Sequence, residues 1–263
     1  MYSPFPTSTQ SNMGFAPIVK REDQQEFEDF AYEYFESRPD FPPSAGVNTF
    51  GKGIWRFDKQ GDDLVRVHDN DTSTDERKFL TPIFQCCIDN PGDPILLYNL
   101  HSEARRRKTI NGIIECTKNI QERVEGDANV NSASYPEYSC GSMTEFVPIV
   151  RFQTRGPASI MFQPVYPADN PWDISGLILS PIVWDEIFEA TFSKNVDGVH
   201  AVLTSETESY TYTITDGRVE SFQKGDIHET KFDEDGVSVN LTWSDLHSMG
   251  APMYKLSLCE FLS

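Results

Sequence analysis

Positive charge is what this chain has least of. Its 22 lysines and arginines stand against 41 aspartates and glutamates in 263 residues, a formal net charge of −19. A field of that sign repels phosphate backbones and acidic lipid surfaces, which argues against nucleic acid and anionic membranes as partners. Long apolar runs are missing as well. Nothing approaches the roughly twenty residues that a membrane-crossing helix requires, so no transmembrane segment is read. The opening MYSPFPTSTQSNMG has neither a basic start nor an apolar centre. Residues 1–14 are therefore read as a disordered polar lead-in and not as a secretory leader.

Catalytic signatures are equally scarce. There is no G-x-S-x-G elbow, and Gly51-Lys52-Gly53 lacks the spacing of a phosphate loop. The five cysteines have no metal-ligand spacing, and adjacent Cys86 and Cys87 point to opposite faces of a strand. Cys116 and Cys140 bracket a polar insertion and are placed to form a disulfide, with buried free thiols as the other reading. Asp226, His228, Asp233 and Asp235 have metal-binding chemistry, but they lie in a Gly/Asp-rich stretch that reads as a surface loop. We expect no enzyme, no metal and no cofactor. Two sequons, at Asn70 and Asn240, become glycosylation acceptors only if the chain enters the secretory pathway.

What is present is a chain of mixed α and β signals. Residues 22–37 carry Phe27, Phe30, Ala31, Tyr34 and Phe35 on one helical face, with Glu26, Asp29, Glu33 and Glu36 opposite. Arg38-Pro39 ends that helix. Its aromatic face reads either as core or as the contact of a homodimer. Residues 54–57 and 64–68 alternate around a glycine turn and predict a hairpin. Residues 82–87 and 95–98 read as apolar strands. A helix follows them, with Ser102 as N-cap, Arg105 to Lys108 on its first turns, and Ile110, Ile113, Ile114 and Thr117 inward. FVPIVRF and SIMFQPVY predict two paired strands, and residues 167–172 a linker. Beyond it come a strand at 176–183, a short helix at 184–192, and strands at 199–204, 210–215 and 219–223. Asp216-Gly217 closes the last pair, and residues 254–262 alternate like a returning strand.

The most suggestive stretch is residues 80–166. A polar side chain at the end of an apolar strand that opens into a helix offers a donor and an acceptor to a ligand, and Asn99 holds that place. An Asx hydrogen bond stabilising the junction is the equal alternative. The ligand reading predicts a cavity lined by Phe84, Asn99 and Met161 or Gln163.

At these residues the chain resembles a CHASE domain, the extracellular sensing module of receptor histidine kinases and nucleotide cyclases. FAPIVKREDQQEFEDFA (residues 15–31) resembles the family's upstream helix. TPIFQCC (81–87) with LYNLHSEARR (97–106) resembles its strand and the following D-L-x-S-x-x-x-R motif. MFQPVYP (161–167) resembles its late strand. The YNL triplet and GDIHETKFD (225–233) are most similar to cyclase-linked versions from diatoms and related algae. The resemblance implies an α/β fold of mixed α+β type, a stalk-type N-terminal helix (15–40) followed by two PAS-like αβ units with antiparallel sheets. The membrane-distal unit would be residues 41–167 and the membrane-proximal one 168–263. It also implies a receptor's extracellular face, a small-molecule ligand in the first unit, and signal output from a domain outside this chain. A dimerisation module or a free-standing soluble binding protein are the other readings. Plant members bind adenine-type hormones through the acid of the D-L pair. Asn99 stands at that position and cannot make the same charge-assisted bond.

Overall fold

The computed structural model describes residues 13–37, 53–60, 63–70, 79–86, 95–126, 140–147, 156–170, 172–227 and 255–260. Every strand pairing with a determined register is antiparallel. The chain divides into two compact units: residues 1–142 with 162–180, and residues 143–161 with 181–263. The division falls near position 142 and again within two long strands, and not at the turn of residues 167–172.

The first unit begins with β1 (Gly14–Pro17) and β2 (Val19–Lys20). A 3₁₀ turn (Arg21–Asp23) leads into α1 (Gln24–Glu36). β3 (Trp55–Gln60) and β4 (Asp63–His68) form the expected hairpin, with Phe57 opposite Arg66. β5 (Phe79–Leu80) pairs with β2, and β6 (Gln85–Cys86) pairs with β1. The apolar run at 95–98 is a turn and not a strand: Tyr98 N–H donates to Ile95 O at 3.0 Å, and Leu97 has φ +62°. A branched leucine rarely takes that left-handed conformation, and composition alone does not signal it. A second 3₁₀ turn (Leu100–Ser102) precedes α2 (Ala104–Gly126). The helix-start role expected of Ser102 belongs to Glu103, whose Oε2 accepts from Arg106 N–H at 3.0 Å. The Ser102 hydroxyl donates instead to Asn99 O, at 2.6 Å. Ile110, Ile113, Thr117 and Ile120 are buried along α2 at helical spacing.

α1 buries Ala31, Tyr32 and Phe35 but turns Phe30 outward, 54 % exposed. Of the two readings of the aromatic face, core burial does not hold for Phe30. The helix is rotated toward Tyr32 because Tyr32 Oη accepts from Gly53 N–H (3.0 Å) while Glu28 Oε1 accepts from Ile54 N–H (2.9 Å).

Further strands are β7 (Ser142–Met143), β8 (Ala158–Val165) and β9 (Gly176–Val183). One five-stranded sheet has the order β6-β1-β9-β8-β7. Gly176 is required where β1 crosses β9, since a Cβ there would come within 2.6 Å of the Phe15 ring.

In the second unit α3 (Trp184–Thr191) is followed by β10 (Val199–Thr204), β11 (Ser209–Thr215), β12 (Arg218–Lys224) and β13 (Lys255–Glu260). The sheet order β12-β11-β10-β13 places the fourth strand beside the first, a Greek-key arrangement. Asp216 and Gly217 both have positive φ, 52° and 69°, as a tight right-twisted hairpin demands. The core here gathers Phe146, Phe188, Ala201, Leu203, Tyr212 and Ile214. Among the described residues no helix is long and apolar enough to cross a membrane, and no group of three or more His, Cys, Asp or Glu is placed to hold a metal. His228, Asp233 and Asp235 lie outside the described residues.

Candidate functional site

The junction between the second 3₁₀ turn and the strands before it is a fully buried polar node. Asn99 is 0 % exposed, and both its amide oxygen and its amide nitrogen are hydrogen-bonded. Its Oδ1 accepts from Thr81 N–H (2.9 Å) and His101 N–H (3.1 Å), and its Nδ2 donates to Asp69 Oδ2 (2.7 Å). His101 N–H also donates to Thr81 Oγ1 at 2.9 Å. This is the Asx-type junction that the sequence allowed as the alternative to a ligand contact.

Asp69, at the end of β4, is the charged centre of the node. Its Oδ1 lies 3.1 Å from Arg21 Nη2 and 3.3 Å from Arg56 Nη1. Arg21 Nη1 adds a 2.7 Å bond to the Asp69 carbonyl. A buried carboxylate is tolerated when paired and hydrogen-bonded on both oxygens, and that is the case here. The arrangement ties α1, through Arg21 in the turn that opens it, to the hairpin and to Asn99. Beside it, Arg106 Nη1 donates to Tyr98 Oη at 2.8 Å. Tyr98, Trp55 and Phe57 form an aromatic trio, with Arg66 over the Trp55 ring at 4.4 Å. Sequence reading missed Asp69, Arg21 and Arg56 because their partners lie 13 to 48 residues away.

The four predicted pocket residues each have a setting of their own. Phe84 belongs to an aromatic wall against α1, with ring centroids 5.0 Å from Tyr34, 5.5 Å from Phe35, 5.8 Å from Phe30 and 5.9 Å from Phe27. Met161 and Gln163 do share a face of β8, but it is the exposed one, while Phe162 and Pro164, which alternate with them, are buried. Period-two alternation made the pairing legible in sequence and left its direction open. Asn99 is committed to the node.

Cys116 and Cys140 form a disulfide, with Cα atoms 5.8 Å apart, joining the middle of α2 to the residues entering β7. Asn70 is exposed directly after Asp69, whereas Asn240 lies outside the described residues.

In the second unit the Tyr212 hydroxyl is buried with no hydrogen-bond partner among the described residues. Burial, then the Asp185 carboxylate, push its pKa far above the usual tyrosine range. Glu186 is also raised, by partial burial and by the carboxylates of Asp185 and Glu189 on the same helix. No family model matches this chain, and no curated protein matches it in sequence.

Proposed function

We propose that this chain is the ligand-sensing domain, of CHASE type, of a transmembrane signalling receptor linked to a cyclase or histidine kinase. It takes a small molecule in its first unit and passes the signal to a domain outside this chain. The observation that carries the reading is the convergence of the motif residues. Tyr98, Asn99, Ser102 and Arg106, which carry the resemblance, meet at one junction and connect through Asp69 and Arg21 to the turn that opens α1. A sensor needs such a path from its sheet to its N-terminal helix. Two compact units and antiparallel strand pairings support the mixed α and β organisation that the resemblance implies.

Of the predicted contact residues only Phe84 stays in the proposal. Asn99 leaves it because a ligand would have to displace Asp69, Thr81 or His101. Recognition of an adenine-type hormone through an acid at this position is not part of the reading. The Cys116–Cys140 disulfide supports the extracellular side, since such bonds persist in oxidising compartments.

The test is a thermal-shift screen of small metabolites against the whole chain, paired with sedimentation. A ligand at about a hundred times its Kd adds about 2.7 kcal/mol of stability and raises Tm. Phe84→Ala should remove that rise. If no compound moves Tm and the chain sediments as a dimer, the second reading replaces the first: a non-catalytic interaction module. The exposed Phe30 on α1 is the observation that favours it.

A further inference from the structure

The outward face of α1 combines two features that a helix exposed only to water has no reason to combine. The first is apolar. Phe30 is 54 % exposed and stacks on Phe84 at 5.8 Å and an interplanar angle of 20°. Tyr34 and Phe27 are half-buried beside them, so the aromatic surface continues along one helical stripe. The second feature is acidic. Glu26 and Glu33 stand four residues before and three after Phe30, on the same face, and both are exposed. Asp29, also exposed, adjoins them, and α1 has no basic residue at all. Glu33 sits near the C-terminal end, where the helix dipole already places partial negative charge, so a carboxylate there opposes the helix.

We propose that this face is the docking surface for a cationic amphipathic segment of a partner protein. An apolar side chain of the segment would cover Phe30, while its lysines or arginines meet Glu26 and Glu33 and the faces of the rings. Charge complementarity selects that occupant. A cation near an exposed aromatic ring is attracted to its face, and the same cation neutralises the carboxylates. A second copy of this chain would bring an identical acidic rim against the first, and like charges face to face disfavour that contact. The inference shares Phe84 with the small-molecule reading, and Phe30→Ser separates the two, since it removes an anchor of the surface and leaves Phe84 in place.

Titration of the whole chain with two synthetic helical peptides tests it, one patterned with leucine and lysine and one of equal charge without leucine. The leucine–lysine peptide should bind, more tightly than the leucine-free one and more weakly as salt rises. Phe30→Ser should weaken it by about tenfold, as loss of one anchor side chain does. The Glu26→Gln/Glu33→Gln pair should lower affinity and flatten the salt dependence. Since Phe30 is more than half exposed, Phe30→Ser should lower Tm only slightly and keep the wild-type circular dichroism, so lost binding would not reflect unfolding. Equal affinity of both peptides, or unchanged affinity in Phe30→Ser, overturns the proposal. So does a dimer in sedimentation that Phe30→Ser dissolves, which would give the face to a second copy. Tight peptide binding acquired only after residues 38–52 are deleted overturns it too, assigning the face to the chain's own segment.

Discussion

Replacing Asn99 with leucine separates a junction residue from a ligand contact, and the structure predicts a large loss of stability. Leucine keeps the approximate volume, so the change is one of hydrogen bonding and not of packing. His101 N–H retains Thr81 Oγ1 as an acceptor, but Thr81 N–H loses Asn99 Oδ1 in a site closed to water. An orphaned buried backbone donor costs about 1–3 kcal/mol. Asp69 Oδ2 loses its 2.7 Å donor, and a hydrogen bond to a buried charged group is worth about 1.5–3 kcal/mol. Together these give about 2.5–6 kcal/mol, a large part of the stability of a typical domain. Urea denaturation followed by circular dichroism and tryptophan fluorescence measures it. Asn99→Asp is the companion variant. It keeps the acceptor for Thr81 and turns the donor into a second carboxylate facing Asp69. That variant should be destabilised at neutral pH and recover as acid places a proton between the two oxygens. The reasoning fails if Asn99→Leu unfolds at the wild-type urea midpoint with an unchanged slope.

Removing the disulfide with the paired change Cys116→Ala and Cys140→Ala frees a loop with sequence separation 24, and chain entropy puts the loss at about 3.5 kcal/mol. Equal urea midpoints for the oxidised and reduced wild-type chain would contradict this. Gly217→Ala should cost more than about 1 kcal/mol, since φ is +69° and the new Cβ would meet the Ser193 carbonyl; a neutral result in thermal melts would refute it. Glu186 has a folded pKa above its ordinary 4.5, so its charged form is disfavoured by folding, a cost present at neutral pH and relieved as pH falls through that folded value. Glu186→Gln should therefore raise Tm at neutral pH and leave it unchanged once the pH is below the ordinary value. The opposite trend would show that neither burial nor the carboxylates of Asp185 and Glu189 disfavour its charged form.

Much of the second unit was legible in the sequence because its signals are local. Strand signals marked β10 and β11, and Asp216-Gly217 closed a hairpin whose geometry only residues tolerant of positive φ accept. The acids of α1 were readable as exposed, since Glu26, Asp29, Glu33 and Glu36 repeat at helical spacing, but the sequence set them opposite Phe30, whereas Glu26 and Glu33 flank it. Direction was not readable. Period two paired Met161 with Gln163, but only the neighbouring strands decided that Phe162 and Pro164 would face the core. Helical spacing grouped Phe30 with Phe27 and Phe35, while Gly53 and Ile54, more than twenty residues away, turned Tyr32 inward in its place. The same holds for the node. Asn99 is conspicuous from its position between strand and helix, yet its role was set by Asp69, which the chain must fold back thirty residues to meet. Sequence by itself determined most of the helical and extended segments, the turn at 95–98 excepted, and which residues share a face. Tertiary structure alone decided which face was buried and whether a polar side chain was left for a ligand, because burial and hydrogen-bond satisfaction belong to groups brought together from distant parts of the chain.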